Sequence, residues 1–162
     1  MNPQEKAFLN LVEDNQGIVH KVCSMYTDDD EGHKDLFQEI MLQLWRSFPR
    51  FRQDAKVSTW MYKVALHTAI TSLKRKKRKE EYLRNEMKNA PQPAWETTAA
   101  EDEHEQLYHA LEKLKATEKA LVMLYLEEKN YKEISEIIGI SENNVGVRLN
   151  RIKKKLRQLM TA

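Results

Sequence analysis

Apolar residues recur at helical spacing along most of this chain. From Glu5 to Tyr26 the positions Phe8, Leu11, Val12, Ile18, Val19 and Val22 fall on one period, interrupted by Asn15-Gln16-Gly17, which predicts two short helices rather than one. Thr27 to Gly32 is a polar, acidic turn. A helix over about His33 to Phe48 then carries Leu36, Phe37, Ile40, Met41, Leu44 and Trp45 inward and leaves Asp35, Gln38, Glu39 and Gln43 on another face. Pro49 ends it. Arg50 to Val57 is a loop holding Phe51 and Arg52, and Ser58 is expected to cap a helix beginning near Thr59. That helix buries Met61, Ala65, Ala69 and Leu73 and aligns Trp60, Lys63, His67, Thr71 and Lys74 elsewhere, before running into six consecutive basic residues, Lys74 to Lys79.

From Glu80 to about Glu101 the periodicity lapses. The segment is acidic and holds Ala90-Pro91-Gln92-Pro93-Ala94, the composition of a flexible linker. Pattern resumes near Asp102 with Leu107, Ala110, Leu111 and Leu114, followed by a helix with Leu121, Leu124 and Tyr125 that Thr117 could cap. Tyr131 to Leu159 then reads as two helices around a tight turn. Ile134, Ile137 and Ile138 mark the first, Gly139 supplies the positive φ that ends it, and Ser141 caps the second. The fold expected is all-α, with two small helical domains, residues 1–80 and 102–162, joined by a linker over 81–101.

Composition narrows the function. The chain has 162 residues, 41% of them hydrophobic, with four glycines and four prolines, as a helical globular protein should. The longest apolar runs are far short of the roughly 20 residues needed to cross a bilayer, and Met1-Asn2-Pro3-Gln4 lacks the blocks of a signal peptide, so a cytoplasmic location without membrane insertion is expected. Cys23 is the single cysteine, set among apolar residues, and reads as a buried thiol. The net charge of +2 conceals a strong asymmetry: a basic block, an acidic linker, then a C-terminal helix with no acid after Glu142. Two positive surfaces suggest two contacts with one polyanion.

The last helix places Val145, Leu149, Ile152, Leu156 and Leu159 on one stripe and surrounds it with Arg148, Arg151, Lys153, Lys154, Lys155 and Arg157. It could simply close a bundle. In a helix-turn-helix, however, the N-terminal part of this second helix enters the major groove, which brings Glu142, Asn143, Asn144, Gly146, Val147 and Asn150 nearest base edges. Upstream, the aromatic and basic loop at Phe51 suits an unpaired strand, because every base has a π-face to stack. Enzyme chemistry has little to stand on. His104-Glu105-Gln106-Leu107-Tyr108-His109 spaces its histidines five apart, about 140° around a helix, where the zinc motif needs four, and no glycine-rich phosphate loop is present. No metal or other cofactor is expected. A duplex-binding repressor and a helical adaptor are the alternatives in other classes.

Taken together, Asp35-Leu36-Phe37-Gln38-Glu39 with Trp45, Phe51 with Ser58-Thr59-Trp60-Met61-Tyr62-Lys63-Val64-Ala65, and Tyr131-Lys132-Glu133-Ile134 through Gly139-Ile140-Ser141 to Val145 carry a family resemblance. In order and spacing the chain resembles the small two-domain bacterial RNA polymerase sigma factors of the extracytoplasmic-function (ECF) group. The resemblance implies promoter recognition, DNA opening and transcription initiation, with residues 1–80 as sigma region 2 and 102–162 as region 4. It implies that Asp35, Gln38, Glu39 and Gln43 dock core polymerase at the β′ clamp helices. Phe51, Arg52, Ser58, Thr59, Trp60, Lys63, His67, Lys74 and Arg75 would then open and read the promoter −10 element. Ser141, Glu142, Asn143, Asn144, Val147, Arg148, Asn150, Arg151 and Lys154 would read the −35 element. The β flap of polymerase and an anti-sigma factor are the further partners implied. The chain departs from the family pattern at Leu66-His67, Thr71, Lys115, Gly146 and Val147, several of them at positions that set promoter preference.

Overall fold

The computed structural model describes residues 1–51, 56–86 and 103–161, and every regular element among them is helical. In chain order these are α1 (Pro3–Asp14), α2 (Gln16–Tyr26), α3 (Asp30–Ser47), a single 3₁₀ turn (Phe48–Arg50), α4 (Val57–Glu86), α5 (Glu103–Glu112), α6 (Ala116–Leu126), α7 (Tyr131–Ile138) and α8 (Glu142–Thr161). The break between α1 and α2 falls at Asn15. Its side-chain amide donates to the Leu11 carbonyl at 2.9 Å and its backbone N–H to Val12 at 3.1 Å, which closes one helix, while its own carbonyl starts the next by accepting from Ile18.

Three helix starts differ from the sequence expectation, two of them because a different side chain supplies the cap. Helix α3 begins at Asp30, ahead of the apolar pattern, since the Asp29 carboxylate accepts from the Gly32 N–H at 2.7 Å. A Cβ on Gly32 would lie 2.8 Å from that same oxygen, so any other residue there would make the Asp29 side chain shift. Helix α4 begins at Val57, which places Ser58 inside the first turn rather than at the cap. Helix α6 begins at Ala116, because the Glu118 carboxylate reaches back to the Lys115 N–H at 2.9 Å and leaves Thr117 with no capping role.

Helix α4 also outlasts its expected end. It continues to Glu86, since Lys, Arg, Glu and Leu are good helix formers and Lys76–Glu80 and Lys77–Glu81 set opposite charges four residues apart. The first part of the expected linker, Glu80 to Glu86, is therefore rigid helix, and the remainder of it lies outside the described residues. What separates α4 from α5 shrinks to roughly 16 residues, with an extended limit of about 55–60 Å.

Helix α4 is the spine of the molecule. Its buried residues Met61, Tyr62, Ala65, Leu66 and Ala69 meet α2 and α3 on one side and α6 and α7 on the other. One hydrophobic cluster consequently runs from Phe8 and Ile40 in the first helical group to Leu121, Ile134 and Leu149 in the second. The two groups joined by the linker are also packed against each other.

Candidate nucleic-acid interface

The first candidate surface is built where the 3₁₀ turn delivers the chain to α4. Pro49 cannot continue α3, and the short turn it forms swings Phe51 onto Trp60, their rings stacked with centroids 4.6 Å apart and planes at 27°. Trp60 in turn meets Phe48 at 6.2 Å, Phe48 meets Phe8 at 5.3 Å, and Phe8 meets Trp45 edge-on at 5.1 Å. The aromatic on the loop is thus the outer member of a braced row of rings. Its bracing was not evident from spacing, which had assigned Trp60 only to a polar face.

Along α4 the structure brings Trp60, Lys63, His67 and Lys74 onto one side, with Lys63, His67 and Lys74 exposed and Trp60 and Thr59 half-buried. It does not bring Ser58 there. Ser58 lies on the opposite side with Tyr62, and its Oγ accepts from the Lys129 ammonium at 3.1 Å. Arg52 lies outside the described residues. Arg75 is exposed, but its guanidinium donates to the Glu39 carboxylate at 2.9 Å, joining a residue expected at DNA to one expected at polymerase.

On α3, Asp35 and Gln38 are exposed and Glu39 and Gln43 half-buried. Asp35 and Glu39 form one wall of a shallow groove whose other wall is Ser72, Leu73 and Lys76 of α4. This acidic side of α3 therefore lies directly beside the basic part of α4.

The second surface is the turn between α7 and α8. The Asn130 side chain caps α7 by accepting from the Glu133 N–H at 2.8 Å, Gly139 ends it with φ 84°, and the Ser141 hydroxyl caps α8 by accepting from the Asn144 N–H at 3.2 Å. All of Ser141, Glu142, Asn143, Asn144, Val147, Arg148, Asn150, Arg151 and Lys154 are exposed. Asn143, Val147, Asn150, Arg151 and Lys154 share one face, while Val145, Leu149 and Ile152 are buried beneath. Gly146, expected near base edges, is instead a packing residue. A Cβ there would come within 3.3 Å of the Tyr131 ring, so its absence lets the start of α7 lie close over α8.

Two lysines of α8 point back into the fold and leave the DNA-facing set. Lys155 donates to Glu118 at 3.1 Å, and Lys153 sits 4.4 Å above the Tyr125 ring. Burial would raise the Glu118 carboxyl, yet the Lys115 N–H and the Lys155 ammonium outweigh it and hold the group below the usual carboxylate range. Burial pushes the Cys23 thiol up to about 11, which keeps it protonated and unreactive. Among the described residues no group of three or more His, Cys, Asp or Glu is arranged to hold a metal, and no helix is long and apolar enough to cross a membrane.

Known proteins share this arrangement. The sigma-70 region 2 family matches residues 11–79 and the sigma-70 region 4 family matches residues 104–156. The RNA polymerase sigma factor YlaC of Bacillus subtilis is 30% identical over 139 residues, covering 81% of this chain and 79% of its own. SigV of the same organism is 27% identical over 160 residues, covering 96% and 93%. In fold, the chain superposes with a TM-score of 0.68 on the sigma factor RpoE of Bartonella quintana, solved with the anti-sigma factor NepR, at 14% identity over 98% of this chain and 96% of that one. It superposes equally, with a TM-score of 0.68 at 18% identity over 97% and 89%, on CnrH solved with the cytosolic domain of CnrY. With both region families in order, a relative at 30% identity over four-fifths of the chain and the matching all-helical fold, this chain belongs to the ECF group of the sigma-70 family and is a promoter-recognising RNA polymerase sigma factor.

Proposed function

We propose a division of labour in which residues 1–80 act as region 2 and residues 102–162 as region 4. The exposed acidic and amide side of α3, Asp35, Gln38, Glu39 and Gln43, docks the β′ clamp helices of core polymerase. Trp60, Lys63, His67 and Lys74, with the stacked Phe51 at their end, hold the unpaired −10 strand. The exposed half of α8 from Ser141 to Lys154 reads the −35 duplex, and the second helical group meets the β flap. An anti-sigma factor is assigned as a further partner, by analogy with the two complexes. The chain has no catalytic role in this scheme; the nucleotide chemistry belongs to polymerase, and the protein works in the cytoplasm beside it.

The observation that carries this reading is the placement of an aromatic pair at the head of a basic helix face, separate from a helix-turn-helix whose recognition residues all face solvent. Strand capture needs rings and cations side by side, whereas duplex reading needs a protruding helix N-terminus. A gel shift on duplex promoter DNA, with and without core polymerase, tests it. Specific binding should appear only when core is present. Tight binding of duplex by the protein alone would instead mark an autonomous repressor.

A further inference from the structure

One side chain on the outer face of α8 is out of keeping with its position. Val147 is 42% exposed and, among the described residues, is the one large apolar side chain that α8 leaves open to solvent. Its direction is fixed by what is packed on either side. Val145 and Leu149 are both buried, and at about 100° per residue each lies roughly 160° round the axis from Val147, which therefore points straight away from the core. Gly146 pins the same rotation, because a Cβ there would meet the Tyr131 ring at 3.3 Å. Nothing local favours a valine here. A β-branched residue is a poor choice for an exposed helix position, where lysine, glutamate or alanine would stabilise the helix more.

The residues beside it on that face carry amides. Asn143 lies one turn before Val147 and Asn150 one turn after it, both exposed. Val147 is also close to the start of the helix at Glu142, a rise of about 7.5 Å, within the ~8.5 Å depth of a major groove that such a helix enters by its N-terminal end. The floor of that groove offers a valine one apolar partner, the C5 methyl of thymine. The N7, O6, N6, O4 and N4 groups beside it are donors or acceptors, which would lose their water against an isopropyl group and gain nothing in return. Asparagine is the complementary reader, bidentate to adenine N6 and N7. Given the assignment of α8 to the −35 duplex made above, on which this rests, we infer that Val147 is a specificity-determining residue for an A·T pair. Its side chain packs on a thymine methyl in the −35 element, with Asn143 or Asn150 placed to take the adenine of the same or an adjoining pair.

Holoenzyme made with the full chain tests this on a pool of duplexes randomised over the −35 element and carrying a fixed, unpaired −10 strand. Sequences bound by the parent should prefer a T·A pair at one position where those bound by Val147→Ser show no preference, at equal helical circular dichroism, since the position is exposed. Replacing that thymine by deoxyuridine, which keeps the pairing and O4 but lacks the methyl, should then weaken parent binding about fourfold, the worth of one buried methyl group, and leave Val147→Ser unaffected. Val147→Thr, which retains a methyl, should remain sensitive to the uridine. A valine that merely steadies α8 would behave differently, because Val147→Ser would then bind every sequence less well to the same degree. That uniform loss, identical preferences in parent and Val147→Ser, or a parent indifferent to uridine at every thymine overturns the role of Val147. Asn143→Ala, Asn150→Ala and Arg151→Ala in the same selection separate this failure from failure of the underlying assignment. If any of them erases a preferred position while Val147→Ser does not, α8 still reads the −35 duplex and the valine's role alone falls, whereas if no α8 variant alters any position the assignment falls with it.

Discussion

Helices α4 and α8 are both long, basic on the outside and apolar within, yet they are held in opposite ways. Helix α4 runs through the middle of the molecule with packed neighbours on two sides, and what it leaves exposed is one long basic flank headed by a stack of rings. Helix α8 is anchored along Val145, Leu149 and Ile152, and the other face of its N-terminal half, with Asn143, Val147 and Asn150, is exposed. The difference suits the roles proposed for each. A strand captured base by base needs a rigid surface whose position does not yield when the duplex is pulled open, while a major groove must admit a helix end.

The comparison breaks most readily at the anchor of α8. Leu149 is 1% exposed, and Leu149→Ala should cost about 2–5 kcal/mol of stability by leaving a cavity under the recognition helix. Chemical denaturation should show the second helical group melting early, and an unchanged midpoint would mean that α8 is not held through this residue. Next in size, Arg148→Ala or Arg151→Ala should weaken promoter binding of the holoenzyme by about 1–3 kcal/mol where the guanidinium is bidentate to a guanine, and uniformly across sequences where it meets phosphate. Binding indistinguishable from the parent across several salt concentrations would turn this face of α8 away from DNA.

Smaller effects sharpen the picture at the helix ends. Ser141→Ala removes the cap of α8 and should lower stability by about 0.5–2 kcal/mol, with hydrogen exchange rising first at Asn143 and Asn144. Glu118 ties the start of α6 to Lys155 near the far end of α8, and its carboxyl is held below the usual range. A depressed folded value means that its contribution is present above the unfolded value of about 4.5 and is lost as pH falls through the folded one. Glu118→Gln should therefore be less stable than the parent at pH 7, and the gap should close in acid. A gap that persists at low pH would show that the ion pair and the cap do not carry the difference.

Much of this architecture was legible because it rests on local rules. The helix-turn-helix is written in Gly139 and Ser141, and the break at Asn15 in a run of poor helix formers. The caps that proved different, Asp29 and Glu118, were hidden because several polar residues near each start were chemically able to serve, and only the path of the backbone selects one. The extension of α4 to Glu86 was masked by acidity, which marks linkers and helix surfaces alike. Gly146 under Tyr131 and Lys129 on Tyr62 depend on how elements pack, which no spacing within one helix can express. The same is true of Arg75, basic and exposed as DNA contacts should be, yet paired with Glu39.

The contrast between a strand-holding α4 and a duplex-reading α8 is tested most directly by permanganate reactivity of −10 thymines in the holoenzyme–promoter complex, read alongside protection of the −35 duplex. Lys63→Ala/His67→Ala changes two exposed positions on the outer flank of α4 and should leave the fold intact. The account predicts that this variant still protects the −35 element while thymine reactivity at −10 falls, and that Arg148→Ala loses −35 protection first. Full thymine reactivity in Lys63→Ala/His67→Ala, or loss of −35 protection in that variant as complete as in Arg148→Ala, would contradict the separation of the two surfaces.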